Sequence, residues 1–345
     1  VWRLETTATG APPAVSPTGT ATAIALDGGV AVLETATGKV LRRFDEPRAR
    51  PALAFDPTGT KLAMCEDNRF RVWDLVADTV VAEGVTTEHL GNSNLVWVGP
   101  RTILTSFGQA IDTELGMAVW QYALPQGDPF SAAGRVWYAG GVLGCEVTAL
   151  EIPHLPVGYV VGAILAGGEG SLVMGPGSTV SIAVDNRLGP SVPIDEAAIR
   201  EGIAEACGKA GWNVQEGAPV VLVARLERGP VQQLKFRDQR AGGAITTASM
   251  QPFKADFEIR RGNDLLWTRG TQNFPPFMLF LRDGESVQQA VTKLERPDPG
   301  FFSRLHLPPR IPRTDGPYQP GFSILRDGKW SDSKRVNPAT VRAPR

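Results

Sequence analysis

The sequence predicts a mixed fold: stacked four-stranded sheet modules over residues 1–153, then an α+β domain with a mostly antiparallel sheet and two helices. Three observations predict it. First, part of the stretch 51–76, PALAFDPTGTKLAMCEDNRFRVWDLV, is reproduced upstream at a fixed offset. Pro17-Thr18-Gly19-Thr20 lies 40 residues before Pro57-Thr58-Gly59-Thr60, and Val32-Leu33-Glu34 lies 40 before Val72-Trp73-Asp74. A repeat of about 40 residues that ends an alternating strand on Trp-Asp marks a four-stranded blade. Second, the repeat stops at Pro153-His154-Leu155-Pro156 and helical periodicity begins further on. Third, a Pro-rich, basic stretch follows from Pro308.

Each blade element follows from its residues. Ala52-Leu53-Ala54-Phe55 reads as a buried strand, and Asp56-Pro57-Thr58-Gly59 as a turn, with Pro fixing φ and Gly free to take φ > 0. Lys61 to Glu66 is the second strand, Asp67-Asn68 the next turn, and Phe70 to Trp73 the third strand, ended by Asp74. The preceding copy gives Thr22 to Leu26, the turn Asp27-Gly28-Gly29, Val30 to Leu33, and an outer strand opened by Thr37-Gly38-Lys39-Val40. A third, looser copy runs through Leu95 to Val98, Thr102 to Thr105, the turn Asp112 to Gly116, and Val119-Trp120. A fourth lies near Val136-Trp137-Tyr138 and Val147 to Ile152.

These residues resemble the WD40-repeat family over about residues 1–153. The resemblance implies a partial β-propeller of about four WD40-like blades, used to bind proteins. The family's Gly-His pair is absent, and only His89 and His154 occur in this region, so the family's polar tetrad cannot recur in every blade. Lactonase-like propellers share the Asp-Pro-x-Gly and Thr-Gly-Lys turns, which leaves the propeller reading broader than the WD40 one. Because closed propellers have at least four blades and Val1-Trp2-Arg3-Leu4 looks like a blade strand, further blades are expected upstream.

The second domain is expected over residues 157–307. Thr179 to Asp185 reads as a strand, and Asp195 to Gly211 as a helix with Ile199, Ile203, Ala206, Cys207 and Ala210 on one face. Asp195 suits its N-cap, and Lys209 and Gly211 suit its end. Val220 to Leu226 is a continuous apolar strand, expected at the centre of a sheet, and Val231 to Arg237 follows as another. Phe253, Ala255, Phe257 and Ile259 alternate with Lys254, Asp256, Glu258 and Arg260, the sign of an antiparallel strand buried on one face. Arg261-Gly262-Asn263 turns it into Leu265-Leu266-Trp267. A second helix opens with the capping-box pair Ser286 and Gln289 and stops at Pro297. Residues 308–345 are expected to run over the surface or stay loose, with Phe322 to Leu325 and Trp330 docking as a last short element.

Composition excludes several classes of function. The formal net charge is −1, which argues neither for nor against a nucleic-acid partner. The arginines Arg225, Arg228, Arg237, Arg240, Arg260, Arg261 and Arg269 are interleaved with acids, the pattern of a solvated mixed face rather than a nucleic-acid surface. The longest apolar run, Val157 to Gly168, is too short for a helical membrane span and reads as buried strand. Cys65, Cys145 and Cys207 have neither disulfide nor zinc spacing and read as buried thiols, which favours a reducing, cytoplasmic compartment.

No residues are assigned to catalysis, a cofactor or a metal. There is no Gly-x-Ser-x-Gly elbow, and His89, His154 and His306 fall in three unrelated loops. Gly167-Gly168-Glu169-Gly170 and Gly175-Pro176-Gly177 are each followed by a strand rather than a helix, so they read as turns and not as a phosphate loop. Trp73, Trp97, Trp120 and Trp137 sit where strands of adjacent blades pack. The apolar stretch 274–280 either packs under the second helix or makes a partner surface, which would consist of Phe274, Phe277, Phe280, Arg260 and Arg261. The expected function is therefore a non-enzymatic scaffold with protein partners. The alternatives are a propeller-based hydrolase or lyase with its site in the upstream blades, and an envelope-associated binding module.

Overall fold

The computed structural model describes residues 11–45, 51–87, 89–91, 94–123, 127–132, 135–140, 148–151, 172–190, 192–237, 245–273, 279–313, 321–326 and 329–333. Val1 to Leu4, Cys145, His154, the strand expected over 157–168, the glycines at 167–170, and Phe274 and Phe277 lie outside them. The chain divides into two compact units, residues 1–175 with 308–345, and residues 176–307.

The first unit is built from blades. β1 (Ala14–Val15), β2 (Ala21–Leu26), β3 (Gly29–Glu34) and β4 (Val40–Asp45) form one antiparallel meander. β5 (Ala52–Phe55), β6 (Lys61–Glu66), β7 (Arg69–Asp74) and β8 (Thr79–Val85) form the next. β9 (Leu95–Trp97), β10 (Thr102–Thr105), β11 (Gln109–Asp112) and β12 (Met117–Ala123) form a third, and β13 (Gly127–Ala132), β14 (Arg135–Gly140) and β15 (Thr148–Glu151) a three-stranded fourth sheet. The innermost strands β1, β5, β9 and β13 neighbour one another in that order. This is the expected partial propeller.

The 40-residue repeat is visible bond by bond. Ser16 Oγ accepts from the Ala21 amide at 2.9 Å, and Asp56 Oδ1 accepts from the Lys61 amide at 2.7 Å. Gly19 and Gly59 both take positive φ, 71° and 74°, as these turns require. Between blades the packing is apolar. Val30, Val32, Leu53, Phe55, Leu62 and Trp73 share one cluster, and Ala54, Phe70, Val72, Leu95, Trp97 and Ile111 share the next. The tryptophans serve this packing: Trp73 stacks on Phe44 at 4.6 Å, and the Trp97 indole donates to the Ala54 carbonyl at 3.1 Å.

The second unit begins with β17, and the strand before it, β16 (Leu172–Met174), belongs to the first. β17 (Thr179–Asn186) leads to α1 (Glu196–Lys209), β18 (Asn213–Val214) and β19 (Val220–Arg228). The hairpin β20 (Gln232–Arg237) and β21 (Ile245–Met250) stands apart from the main sheet. β22 (Phe253–Arg261) and β23 (Asp264–Gln272) complete a sheet of order β18-β17-β19-β22-β23. Its β17 edge is parallel and the rest antiparallel, with β19 at the centre as expected. α2 (Val287–Thr292) and a short 3-10 helix (Pro299–Arg304) follow.

α1 is closed at both ends by its own sequence. Asp195 Oδ1 accepts from the Ala198 amide at 3.0 Å. Beyond Lys209, Gly211 takes φ 75°, its amide donates to Gly208 at 3.1 Å and that of Trp212 donates to Cys207 at 2.9 Å, which is a Schellman stop. Ile199, Ile203, Ala206 and Cys207 are buried, as are Leu222, Ala224, Phe257 and Ile259 of the central strands. α2 has the expected capping box and packs Val287 and Val291 on Leu234, Phe236, Ala248 and Met250 of the separate hairpin.

The stretch from 308 supplies β24 (Ile311–Pro312), β25 (Gly321–Arg326) and β26 (Lys329–Ser333), the last two formed where Phe322 to Leu325 and Trp330 were expected to dock. β24 pairs with β16, and β25 joins the third blade beside β12, with β26 outside it. Long-range strand pairing overrides the low periodicity of this segment. The second unit is thus inserted, in sequence, between the paired strands β16 and β24.

Candidate interaction surfaces

The turns between the second and third strands of successive blades, together with the segments that link blades, supply the first surface. Asp67 and Asn68 close β6 onto β7, and Asp67 sits at φ 57°, a left-handed conformation that Asp tolerates in a tight hairpin. Asn68 is buried: its Nδ2 donates to the Thr86 carbonyl at 3.3 Å and its carbonyl accepts from the Thr86 amide at 2.8 Å. The Leu90 amide donates to the Asp67 carbonyl, and Leu90 plugs into the core beneath. These bonds fold the segment after β8 back over the turn.

Two side chains are thereby presented to solvent. His89 Nδ1 lies 2.9 Å from the Asp67 carbonyl and 3.0 Å from its Oδ1. Its ring sits 5.5 Å from that of Phe107, which belongs to the equivalent turn of the third blade. Phe107 is 52% exposed. Gly91, at φ 77°, fixes it from behind: a Cβ there would lie 2.7 Å from Ser106 Oγ and 3.2 Å from the Phe107 ring. Gln121 Nε2 donates to the Phe107 carbonyl at 2.7 Å and holds the turn from the other side. From the sequence His89 lies in a loop unrelated to those of His154 and His306. Its neighbours are hidden there because Asp67 meets it only when the segment after β8 folds back, and Phe107 only when the next blade stacks.

The second surface is the polar face of the five-stranded sheet. Arg225 reaches Asp185 Oδ2 at 3.0 Å and Glu258 Oε1 at 3.1 Å, while Arg260 Nε donates to Glu258 Oε2 at 2.7 Å. Arg187 lies 2.8 Å from Asp185 and 3.5 Å from Glu227. Hydrogen bonding from Arg187 holds the Asp185 carboxyl below the usual range, and that from Arg260 does the same for Glu258. Asp256 behaves oppositely: desolvation first, then the Glu227 charge, pushes it up. Arg228 instead lies over the Phe253 ring at 4.3 Å. These arginines are engaged with acids or a ring, as a mixed face requires.

The five residues expected to form a partner surface are distributed as follows. Arg260 is tied into the ladder, beside a bulge between Ile259 and Arg260. Arg261 ends β22 opposite Asp264. Phe280 is 86% exposed next to Leu279, which packs with α2. The arginines therefore belong to the main sheet and Phe280 to the surround of the separate hairpin. Phe274 and Phe277 lie outside the described residues.

Chemical candidates follow the same pattern. Cys65 and Cys207 are buried free thiols, pushed up by desolvation, Cys207 to about 12. Among the described residues no cluster of His, Cys, Asp and Glu could hold a metal, and no helix is long and apolar enough to cross a membrane.

Among solved structures, the chain is similar to the β-propeller domain of Myceliophteria thermophila Cps50 (Swd1), with 13% identity and a TM-score of 0.33. The match covers 43% of this chain and 53% of that one, so this chain spans about half the length of that domain. No protein-family model matches the chain. No curated protein matches it either.

Proposed function

We propose that this chain is a non-enzymatic interaction protein that binds another protein through the turn face of its blades. The observation that carries this reading is Phe107, a large exposed aromatic held in place by Gly91, His89 and Gln121. A rigid aromatic with a polar rim is what a binding hot spot needs, because little entropy is lost when a partner covers it. His89 and Asp67 supply that rim.

The test uses the full chain as bait, beside Phe107→Ala. One protein reproducibly retained by the native chain should bind the variant at least about tenfold more weakly. Equal binding by both chains would remove the turn face from the interaction. Reproducible substrate turnover abolished by one point change would overturn the non-enzymatic reading altogether.

A second reading has one observation in its favour. A histidine whose Nδ1 is held by a carboxylate, as His89 is by Asp67, presents Nε2 as a general base. A propeller-based hydrolase would lose its activity in His89→Ala, whereas an interaction rim would lose affinity alone.

A further inference from the structure

The outer strand of a blade ordinarily ends its sheet, and its free amides and carbonyls are open to any extended chain. In the third blade that edge is filled. β25 lies parallel to β12 in the register Trp120↔Gly321, Gln121↔Phe322, Tyr122↔Ser323 and Ala123↔Ile324. A parallel neighbour cannot arrive through a tight turn. This one arrives after the whole second unit, nearly two hundred residues later in the chain.

The pairing carries side-chain recognition as well as backbone bonds. The Trp120 indole Nε1 donates to Ser323 Oγ at 2.9 Å, and Ser323 is buried. Trp120 itself is packed with Val96, Leu104, Met117 and Tyr122, so its N–H is aimed by the blade core before β25 is considered. Backbone pairing along a sheet edge, with one side chain read by a fixed group, is how sheet proteins bind extended peptides.

We infer that the β12 edge of the third blade is a strand-acceptor site for an extended peptide, occupied in this structure by the chain's own residues 321–326. The peptide it takes runs parallel to β12 and carries a small hydroxyl residue where Ser323 lies. A partner segment with those features competes with β25 for the edge. The inference uses neither Phe107 nor His89 and stands or falls apart from the proposed function.

The experiment places a protease site within residues 314–320 of the full chain, cuts the folded protein, and adds a labelled peptide of residues 319–336. The C-terminal fragment should stay bound after cutting and be replaced by the peptide saturably. A peptide with Ser323→Val should compete about tenfold more weakly, having lost the buried indole partner. Immediate loss of the fragment from a body that keeps its melting transition overturns the inference, because the edge then has no affinity of its own. Retention that no peptide excess can reverse overturns it too, making β25 an integral strand. A dimer that forms without added peptide would assign the edge to a second copy and reject the peptide reading. Should cutting unfold the body, the uncut chain carrying Ser323→Pro replaces it. That chain must take up the labelled peptide at least about tenfold better than the native chain, and equal uptake refutes the site.

Discussion

Asp74 and Asp112 close corresponding blades with the same pair of bonds, in very different surroundings. Asp74 Oδ1 accepts from the amides of Val76 and Ala77, both at 2.9 Å, on an exposed turn. Asp112 Oδ1 accepts from Glu114 and Leu115 at 3.0 and 2.8 Å, but it is fully buried and also takes a bidentate Arg101 at 2.6 and 2.7 Å. Asp112→Ala removes the acceptor of two amides and one of the two carboxylates on Arg101, which keeps Glu114, and should cost about 2 kcal/mol in urea unfolding. Asp74→Ala should cost clearly less, since water replaces the lost acceptor. The sequence displayed the Asp at both positions but not Arg101, which reaches Asp112 across the β10–β11 hairpin. The charge ladder of the second unit has a signed pH dependence. Asp185 and Glu258 are depressed by arginines, so their contribution is complete above the ordinary carboxylate range and is lost as pH falls below about 4. Asp256 is raised, so its ionisation opposes folding above that range. Asp256→Asn should therefore raise the melting temperature at pH 7 and leave it unchanged at pH 3, as scanning calorimetry at the two pH values would show.

Helix α1 contains two glycines with opposite consequences, and they separate propensity from packing. At Gly208 nothing lies within 4 Å of where a Cβ would stand, so Gly208→Ala should gain about 0.5–1 kcal/mol from chain entropy alone. At Gly202 a Cβ would come 2.9 Å from Ser303 Cα, because the helix lies directly on the 3-10 turn Pro299–Arg304. Gly202→Ala should destabilise by about 1–2 kcal/mol despite its better helix propensity, and paired urea titrations decide both signs. Elements with local signals were legible from sequence. The caps at Asp195 and Ser286, the turn glycines at 19 and 59, and the alternation along β22 are all made of near neighbours. β11 and β21 were not called as strands, because Gln109–Asp112 and Ile245–Met250 are short or polar and become strands only through their partners. Phe322 to Leu325 and Trp330 were legible as a short docking element, yet nothing local showed that β25 would pair with β12.

At the scale of the molecule, the chain leaves the first unit after β16 and rejoins it at β24, and these strands pair antiparallel as Leu172↔Pro312 and Met174↔Ile311. Met174 and Ile311 are buried, Leu172 packs against the third-blade core, and Arg310 Nη1 donates to the Leu115 carbonyl at 3.1 Å. The sequence reading set its boundary near 153–157 because the blade motif fades there, and it could not see a junction defined by contacts between residues some 140 apart. This geometry makes the inserted unit removable. Joining Gly175 directly to Pro308 leaves Gly175, Pro308, Pro309 and Arg310 between Met174 and Ile311, a four-residue loop of the length antiparallel hairpins tolerate. The shortened chain keeps both paired strands, the Arg310 anchor and every described blade residue. It should retain a β-rich circular dichroism spectrum and a cooperative melt, while residues 176–307 expressed alone should melt independently as a helix-containing unit with its own core. A shortened chain with no cooperative transition would show that the blades depend on the insert. The β16–β24 pair would then be a consequence of the second unit's folding rather than the clasp that holds it.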